Sequence, residues 1–251
     1  MKVSIITATY NSQATVMDTL KSVQCQSYPK IEHIIVDGQS VDNTLEIIKD
    51  LKHAGPLVSE PDRGIYDAMN KGIAMATGDI IGILNSDDFL ADEDVIARVV
   101  KTFESGNCDM VYGDLVYVDA VNTDRVLRRW IAGNFERRQF LQGWMPPHPS
   151  VFVRREVYEK YGRFNLQLKS SADYELLLRL MFVNKVRSKY LPYILVHMRA
   201  GGQSNRSFQN RLIAHKEDYL AWKINGLSPR WYTLMMKPFR KIRQFMVIAH
   251  S

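Results

Sequence analysis

Several features are scarce in this 251-residue sequence, and each scarcity argues against a class of protein. The only cysteines, Cys25 and Cys108, match no disulfide framework and no zinc-binding spacing, so we interpret both as reduced residues of a cytosolic protein. No run of 18 apolar residues occurs, so we expect no membrane-spanning helix. Because the first residues already have a strand pattern, we also expect no signal peptide.

A glycine-rich phosphate loop is also missing. The turn after the first predicted strand reads TATYNSQAT and contains neither GxGxxG nor GxxxxGK[ST]. This argues against a kinase or a dehydrogenase. If a nucleotide binds here, a metal and cationic side chains must neutralise its phosphates.

Acidic residues are scarce in the C-terminal part of the chain. Residues 185–251 contain 13 Lys and Arg but only two acids, Glu217 and Asp218, and therefore carry +11. Because the whole chain carries +6, the preceding residues carry −5. This asymmetry indicates either an anionic partner or a solvated basic surface.

The rest of the composition is that of a globular protein, with 46% hydrophobic and 24% charged residues. In the first half, strand patterns alternate with amphipathic helix patterns. The first helix, for example, has Val16, Leu20 and Val23 on one stripe, and we expect Ser12 to cap it. The alternation predicts an α/β fold, with a mostly parallel central sheet covered by helices on both faces. The segment DRVLRRWIAG is predicted to form a hairpin with the fifth strand, CDMVYGDLVYVD.

Polar residues stand where the predicted parallel strands end, which is where such sheets bind their ligands. These residues are Thr9, Tyr10 and Asn11 after the first strand, Asp37 and Gly38 after the second, Glu60 to Asp62 after the third, and Asn85 to Asp88 after the fourth. We expect all of them to face one crevice.

Two adjacent carboxylates, Asp87 and Asp88, follow the apolar run IIGIL. Mg²⁺ or Mn²⁺ is typically held by one or two carboxylates, while phosphate oxygens and water complete its coordination. Alternatively, the pair only ends the strand or caps the next helix. Asp92 is better placed for that cap, so we favour the metal site.

Asp37 follows a buried strand directly, in VDGQSVDNT. A carboxylate in this position can accept hydrogen bonds from a ribose hydroxyl or a base N–H. Because Asp-Gly is also a strong turn signal, Asp37 could instead form the turn. We assign Asp42 to capping the next helix.

Five motifs together resemble the inverting family 2 glycosyltransferases, over roughly residues 2–179. In chain order they are ITATYN, IIVDGQSVDNT, SEPDRGIYDAMNKGIAMATGD, IIGILNSDD and SADYELLLRL. The bacterial branch that adds sugars to O-antigen, capsular and other exopolysaccharide units is the most similar. The resemblance implies a GT-A fold and a nucleotide-diphosphate sugar donor.

The resemblance also implies roles for individual residues. The residues that would bind the nucleotide are Thr9, Tyr10 and Asn11 around the nucleoside, Asp37 at the base or ribose, and Asp62, Gly64 and Asn70 along the nucleotide and diphosphate site. Asp87 would bind the metal, with Asp88 beside it. Asp173 would be the catalytic base. Two positions depart from the family pattern. Asn85 replaces an acid, which puts its nucleotide-sugar contact in doubt. Met69 replaces an arginine, so Arg63 or Lys71 would have to serve the diphosphate.

In this chemistry an acceptor hydroxyl attacks the anomeric carbon, and Asp173 accepts the proton. Capping of its helix is the other explanation for Asp173, but Ser170 or Ser171 could provide that cap. His148 and His197 could each contact diphosphate or acceptor, and His197 could also bind the metal, although a lone histidine is more often a packed residue.

The long loop NFERRQFLQGWMPPHPS carries Trp144, which could stack on a sugar or belong to the core. Trp144 and His148 are the candidates on the acceptor side.

The last residues form a basic amphipathic pattern. Apolar residues recur at nearly helical spacing from Trp231 through Met235, Phe239, Ile242, Met246 and Ala249, with Arg230, Lys237, Arg240, Lys241 and Arg243 between them. We predict a glycosyltransferase domain over 1–222 and a C-terminal extension over 223–251. The extension could dock on a membrane, pack on the domain or form a dimer contact.

The sequence therefore favours a metal-dependent inverting glycosyltransferase acting on a lipid-linked saccharide in cell-surface polysaccharide synthesis. We expect it in the bacterial cytoplasm, on the inner face of the membrane if the extension docks there, and we expect no nucleic acid partner. Two alternatives remain: a nucleotidyltransferase, and a non-catalytic module that binds sugar nucleotide or nucleic acid.

Overall fold

The structure is a computed structural model that describes residues 1–201 and 208–237, without the side chains of 208–212. Its strands are β1 (Val3–Thr9), β2 (Ile31–Asp37), β3 (Leu57–Ser59), β4 (Ile80–Ile83), β5 (Asp88–Leu90), β6 (Met110–Val118), β7 (Val126–Trp130), β8 (Val151–Arg154) and β9 (Ser188–Arg199). Its α-helices are α1 (Val16–Gln24), α2 (Thr44–Asp50), α3 (Ile65–Met75), α4 (Val95–Ser105), α5 (Arg155–Tyr161), α6 (Ala172–Leu177) and α7 (Phe208–Ile224).

All the described strands belong to one sheet, in the order β3-β2-β1-β4-β8-β6-β9-β5, with β7 paired to β6. The four strands from β3 to β4 are parallel, as predicted from the alternating pattern, and β6 and β9 are also parallel. Strand β8 runs antiparallel between β4 and β6. The parallel half brings the ends of β1, β2, β3 and β4 to one edge of the sheet.

The sheet is covered on both faces. In β1, Ile5 belongs to a core cluster that includes Phe103 of α4, whereas the next residue, Ile6, packs in a cluster with Met69 and Ile73 of α3. Consecutive residues of a strand point to opposite faces, so β1 is apolar on both sides. This explains why its sequence is a continuous apolar run instead of an alternating one.

Two local features differ from the predictions. Ser12 does not cap α1 with its side chain: the helix begins at Val16, and the Ser12 hydroxyl instead bonds to Ser86 and to the Tyr10 carbonyl. The short strand β5 was not anticipated, since it begins inside the polar run NSDDF. The predicted hairpin is confirmed, because β6 and β7 pair antiparallel.

The C-terminal part of the described chain packs on the domain. The predicted boundary at 222/223 falls inside α7, whose residues Ala221 and Trp222 are buried. Beyond it, Leu234 is buried, and the Thr233 hydroxyl donates to the Leu141 carbonyl at 2.7 Å. The tail residues after Lys237 lie outside the described residues.

Among the helices in the described part of the chain, none combines the length and apolar character needed to cross a membrane.

Candidate active site

The four residues after Leu84 form a tight turn that leads into β5. The Asp88 N–H donates to the Asn85 carbonyl at 3.0 Å, and the Asn85 side-chain amide donates to Asp88 Oδ2 at 3.1 Å. Ser86 contacts Ser12 in the loop after β1, with 2.8 Å between the two hydroxyl oxygens. The turn therefore links the end of β4 to the loop after β1.

The two carboxylates of this turn lie in a poorly solvated place. Asp88 is fully buried, and burial raises the pKa of its carboxyl well above the usual range, with the Asp87 charge adding to the effect. Burial also raises the pKa of Asp87, which is half-buried, against a smaller opposing effect of Arg199. Two such groups are difficult to ionise together unless a cation neutralises them.

The oxygen atoms of this turn fit a hard divalent cation. Asp88 Oδ1 and Asn85 Oδ1 are buried and have no hydrogen-bond partner. Buried polar atoms without partners are costly, and a metal ligand is one way to relieve that cost. Within residues 1–201 and 208–237, no three His, Cys, Asp or Glu side chains come together to hold a metal. Ligands to a cation at Asp87 and Asp88 would thus have to come in part from substrate or water.

His197 does not join the two carboxylates. In the pairing of β5 with β9, Asp88 lies opposite Met198, and Phe89 lies opposite His197. Successive strand residues alternate between faces, so His197 shares a face with Phe89, and their ring centroids are 5.1 Å apart. The prediction of His197 as a metal ligand therefore finds no support in its position.

Arg199 contacts the turn that carries Asp87 and Asp88. The sequence did not predict this contact. Its guanidinium donates to the Asp87 carbonyl at 2.8 Å, forms an ion pair with Asp18 of α1, and lies 5.1 Å from the centre of the Phe89 ring. Arg199 is itself buried. It thereby ties the turn to α1 and to the end of β9.

Asp173 stands in the first turn of α6, where Tyr66 holds its carboxylate. The Tyr66 hydroxyl donates to Asp173 Oδ1 at 3.1 Å, and the Tyr66 ring stacks on Phe164 with centroids 5.3 Å apart. Burial, reinforced by Asp173, raises the pKa of Tyr66 well above its usual value, so this hydroxyl remains a donor. Tyr66 lies in the motif SEPDRGIYDAMNKGIAMATGD, but no sequence pattern indicated that it contacts Asp173.

Asp173 does not occupy the N-cap position of α6, which is Ser171. The Glu217 carboxylate of α7 accepts the backbone N–H groups of the three residues before α6, namely Lys169 at 3.0 Å, Ser170 at 2.7 Å and Ser171 at 3.0 Å. Ser171 makes no side-chain cap bond to α6, because its hydroxyl donates to the Ala214 carbonyl at 3.2 Å. This leaves the half-buried carboxylate of Asp173 available for chemistry.

Of the two acceptor-side candidates, only His148 lies near Asp173. Its buried ring packs edge-on against Phe164 at 5.4 Å; burial lowers the pKa of His148, and the Asp173 charge opposes that shift. Trp144, in contrast, is a core residue. Its ring stacks on Phe135 at 5.5 Å, and its indole N–H donates to the Ala132 carbonyl at 3.0 Å.

The ends of β1, β2 and β3 meet around Asp37. Its buried carboxylate accepts the Ser40 N–H at 2.9 Å and the Ser59 hydroxyl at 2.7 Å, so it fulfils the turn-forming alternative. Gly38 allows a close approach here, because an added Cβ would lie 2.5 Å from Asp62 Oδ2 and 3.4 Å from the Tyr10 ring. The candidates Tyr10 and Asp62 are thus neighbours.

Two further candidates flank this group. Thr9 ends β1, and its buried hydroxyl oxygen has no hydrogen-bond partner. Asn11 has a left-handed backbone conformation, with φ of 48°, and its side-chain oxygen accepts the Val41 N–H at 2.9 Å. Asn11 therefore joins the loops that follow β1 and β2.

The candidates around α3 are engaged within the protein. The Asn70 amide exchanges two hydrogen bonds of 2.9 Å with the backbone of Phe164. Lys71 pairs with Glu60 at 2.8 Å. Arg63 is 80% exposed and pairs with Asp67 at 3.5 Å. Neither cation has an ion pair with Asp87 or Asp88. Gly64, at the start of α3 with φ of 111°, has open space around it.

Comparison with known proteins identifies the family. The family described as Glycosyl transferase family 2 matches residues 4–162. An uncharacterized glycosyltransferase of Mycobacterium tuberculosis is 36% identical over 185 residues, which cover 72% of this chain and 69% of that protein. A PGL/p-HBAD biosynthesis glycosyltransferase of Mycobacterium bovis is 31% identical over 208 residues, which cover 80% and 78%.

Solved structures show the same fold. S. aureus TarS 1–349, in complex with UDP-GlcNAc, superposes with a TM-score of 0.69 at 18% identity and covers 90% of this chain, which spans 65% of the TarS chain. Mannosyltransferase PcManGT from Pyrobaculum calidifontis, in complex with GDP-Man and Mn²⁺, gives a TM-score of 0.60 at 19% identity, covering 100% and 76%. The predicted GT-A fold is confirmed. The chain belongs to glycosyl transferase family 2 and is a glycosyltransferase.

Proposed function

We propose that this protein is a metal-dependent inverting glycosyltransferase that moves a sugar from a nucleotide-diphosphate sugar to a hydroxyl of a lipid-linked saccharide in cell-surface polysaccharide synthesis. One observation carries the proposal: the carboxylates Asp88 and Asp173 are close enough that, in addition to burial, the charges of both raise the pKa of Tyr117. Asp88, adjacent to Asp87, has a buried oxygen without a hydrogen-bond partner, and Tyr66 holds the Asp173 carboxylate. The nucleotide sugars in TarS and PcManGT, and the Mn²⁺ in the latter, support it.

The proposed chemistry divides between the two ends of the site. Asp173, oriented by Tyr66, accepts the proton of the acceptor hydroxyl as that oxygen attacks the anomeric carbon from the face opposite the nucleotide. Asp87 and Asp88 would hold the divalent cation, and Arg199 fixes the turn that carries them. A cation bound there would neutralise the negative charge of the departing diphosphate. Tyr10 and Asp62, which are neighbours beside the turn that Asp37 holds, form the nucleoside end.

The two alternatives are less well supported. A nucleotidyltransferase would need cations in the loop after β1, and TATYNSQAT provides none. A module that only binds would have no use for a carboxylate oriented by a tyrosine.

The acceptor side of the proposal concerns the C-terminal residues. We infer that the extension over 223–251 docks the enzyme on the inner face of the bacterial cytoplasmic membrane, where a lipid-linked acceptor would be found. Trp231 is 84% exposed and Met235 is also exposed, whereas Thr233 and Leu234 between them face the domain. Exposed apolar and basic side chains together favour binding to anionic lipid surfaces. A dimer contact is the competing use of the same residues.

Thermal-shift measurements against a panel of nucleotide sugars, with and without Mn²⁺, test the donor and the metal together. We expect a rise in melting temperature for one nucleotide, and only when Mn²⁺ is present. A shift of the same size with and without Mn²⁺ would contradict metal dependence, and no shift with any nucleotide would contradict the donor class.

A vesicle-binding assay tests the extension. Vesicles of anionic lipid should bind the full chain but not a chain ending at residue 229. Equal binding of both would contradict membrane docking.

A further inference from the structure

Helix α7 carries apolar side chains on its solvent-facing side. Ile213, Leu220 and Ile224 are 45%, 42% and 38% exposed. Their spacings of seven and four residues place them on one face of the helix. Trp222, on the opposite side of α7, is buried in the domain. We call the three exposed residues the outer stripe.

Two lysines flank the outer stripe. Lys216 and Lys223 are exposed, and each follows a residue of the stripe by three positions, so both lie along the same side of it. The Lys223 ammonium lies 5.6 Å from the centre of the Tyr219 ring and donates to the Ser228 hydroxyl at 3.2 Å. Lysine and tyrosine combine an apolar body with a polar tip, which suits a boundary between lipid and water.

The acids of α7 are engaged within the protein. Glu217 accepts the backbone N–H groups before α6, and the buried Asp218 forms an ion pair with Lys237 at 2.7 Å. Residues 185–251 contain no other acid. Neither carboxylate is therefore left to repel an anionic surface. Basic residues beside an apolar stripe favour anionic lipid over nucleic acid, because phosphates bind the cations but a lipid surface also takes up the apolar side chains.

Helix α7 packs directly on α6, the helix that carries Asp173. The Trp222 indole N–H donates to the Tyr174 hydroxyl at 2.9 Å, and the Asn225 amide donates to the Glu175 carboxylate at 3.0 Å. Packed helices lie about 8–10 Å apart, and the side chains of a helix reach about 5–6 Å from its axis. A surface in contact with the outer stripe would therefore lie within about 15 Å of the axis of α6.

We propose that the outer stripe and its two lysines dock on an anionic lipid surface, so that Asp173 lies close to an acceptor carried by that membrane. The docking surface then begins inside the predicted glycosyltransferase domain, before residue 223, and is not confined to the extension. The exposed Trp231 and Met235 would enter the same lipid surface, because the ion pair between Lys237 and Asp218 holds their segment against α7. The role of the acceptor in this inference rests on the proposed function.

Co-sedimentation of the full chain with increasing amounts of lipid vesicles tests the surface without turnover. The wild type should bind vesicles of phosphatidylglycerol and phosphatidylcholine in equal parts more tightly than vesicles of phosphatidylcholine alone. Leu220→Gln should weaken binding about threefold to tenfold, because it removes apolar area from the contact. Lys216→Gln should weaken it about fivefold, and only on vesicles that contain phosphatidylglycerol.

Leu57→Gln is the matched control for Leu220→Gln. Leu57 on β3 is 43% exposed, nearly the same fraction as Leu220, and it should leave vesicle binding unchanged. Equal affinities of the wild type and Leu220→Gln would overturn the proposal, and so would equal binding of the wild type to the two kinds of vesicle. Sedimentation equilibrium without lipid tests a dimer contact: a wild-type dimer that Leu220→Gln dissociates would assign the outer stripe to a second copy of the chain instead.

The nucleotide thermal shift with Mn²⁺ separates this inference from the proposed function. Leu220→Gln should keep the wild-type shift, since Leu220 lies outside the candidate active site. If the wild type shows that shift but binds neither kind of vesicle, the docking surface is wrong and the proposed donor chemistry stands. If the wild type shows no nucleotide shift, the proposed function fails, while vesicle binding by Leu220→Gln and Leu57→Gln still decides whether the outer stripe contacts lipid.

Discussion

At the scale of single residues, the two reactive ends of the candidate site depend on contacts between distant parts of the chain. Tyr66 and Asp173 are 107 positions apart, and Arg199 and Asp18 are 181 positions apart. Local patterns predict strands, turns and caps, but they carry no information about such pairs. The position of Asp87 after an apolar strand predicted its metal role, and the motif resemblance supplied Asp173, whereas Tyr66 and Arg199 emerged only from the fold.

Tyr66→Phe should reduce turnover without weakening donor binding. The change removes the hydrogen bond to Asp173 but keeps the stacking on Phe164. A hydrogen bond to a charged group contributes about 1.5–3 kcal/mol, so kcat should fall roughly 10- to 100-fold. Steady-state kinetics measures this, with Tyr161→Phe as the control. An unchanged kcat would show that Tyr66 does not orient the base.

Arg199→Gln should weaken metal binding. The variant loses the ion pair with Asp18 and the hold on the Asp87 carbonyl, so the turn is no longer fixed. Electron paramagnetic resonance of free Mn²⁺ during titration gives the affinity directly, without turnover. Arg98→Gln, which removes the more exposed pair with Asp92, should leave the affinity unchanged. Equal affinities in wild type and Arg199→Gln would contradict this role.

At the scale of elements, α7 fixes the start of α6. One carboxylate, Glu217, accepts three successive backbone N–H groups just before the helix that carries Asp173. The sequence analysis placed Asp173 in a helix, but it did not predict that a residue of α7 binds the segment before that helix. The antiparallel insertion of β8 between β4 and β6 was equally hidden, because a strand pattern does not specify its neighbour.

Glu217→Gln should destabilise this junction. An amide retains one acceptor oxygen but loses the charge that strengthens the three bonds, so the free energy of unfolding should fall by about 1–3 kcal/mol. Urea denaturation measures the change. Glu46→Gln, on the exposed side of α2, should stay within about 0.5 kcal/mol of the wild type. Equal stabilities of all three proteins would show that these three hydrogen bonds to Glu217 do not stabilise the fold.

At the scale of the whole molecule, the alternation of strand and helix patterns was sufficient to predict the parallel half of the sheet and the edge where its polar residues meet. Ile5 and Ile6 illustrate why: their adjacent apolar side chains belong to core clusters on opposite faces, which only a doubly covered strand allows. Trp144 shows what sequence patterns do not predict. An aromatic residue in a loop has the same local pattern whether it binds a sugar or packs in the core, and Trp144 is buried. The C-terminal residues after Lys237 remain predictions.

The stability of the whole fold should decrease in mild acid because of His33. This residue is buried between β1 and the His53 ring, and burial lowers its pKa to about 3. As the pH falls, the His33 imidazole is therefore protonated near pH 6.5 in the unfolded chain but only near about pH 3 in the folded protein. The contribution of His33 to the free energy of unfolding is fully present above pH 6.5. Below that pH it should decline by up to about 1.4 kcal/mol per pH unit. Urea denaturation at several pH values between 6.5 and 5 gives the free energy of unfolding as a function of pH. This free energy should fall less steeply with decreasing pH in His33→Asn than in the wild type. Equal pH dependence in the two proteins would show that His33 is not the cause.

The proposed function assigns metal-assisted donor binding and proton acceptance to different carboxylates. The most direct measurement compares Asp87→Asn and Asp173→Asn in Mn²⁺-dependent binding of the nucleotide sugar, by calorimetry, and in its turnover. We predict that Asp87→Asn loses the metal-dependent binding. We predict that Asp173→Asn keeps that binding and loses about 10²- to 10⁴-fold in turnover, as for a general base. Wild-type turnover by Asp173→Asn, or wild-type metal dependence in Asp87→Asn, would contradict the account.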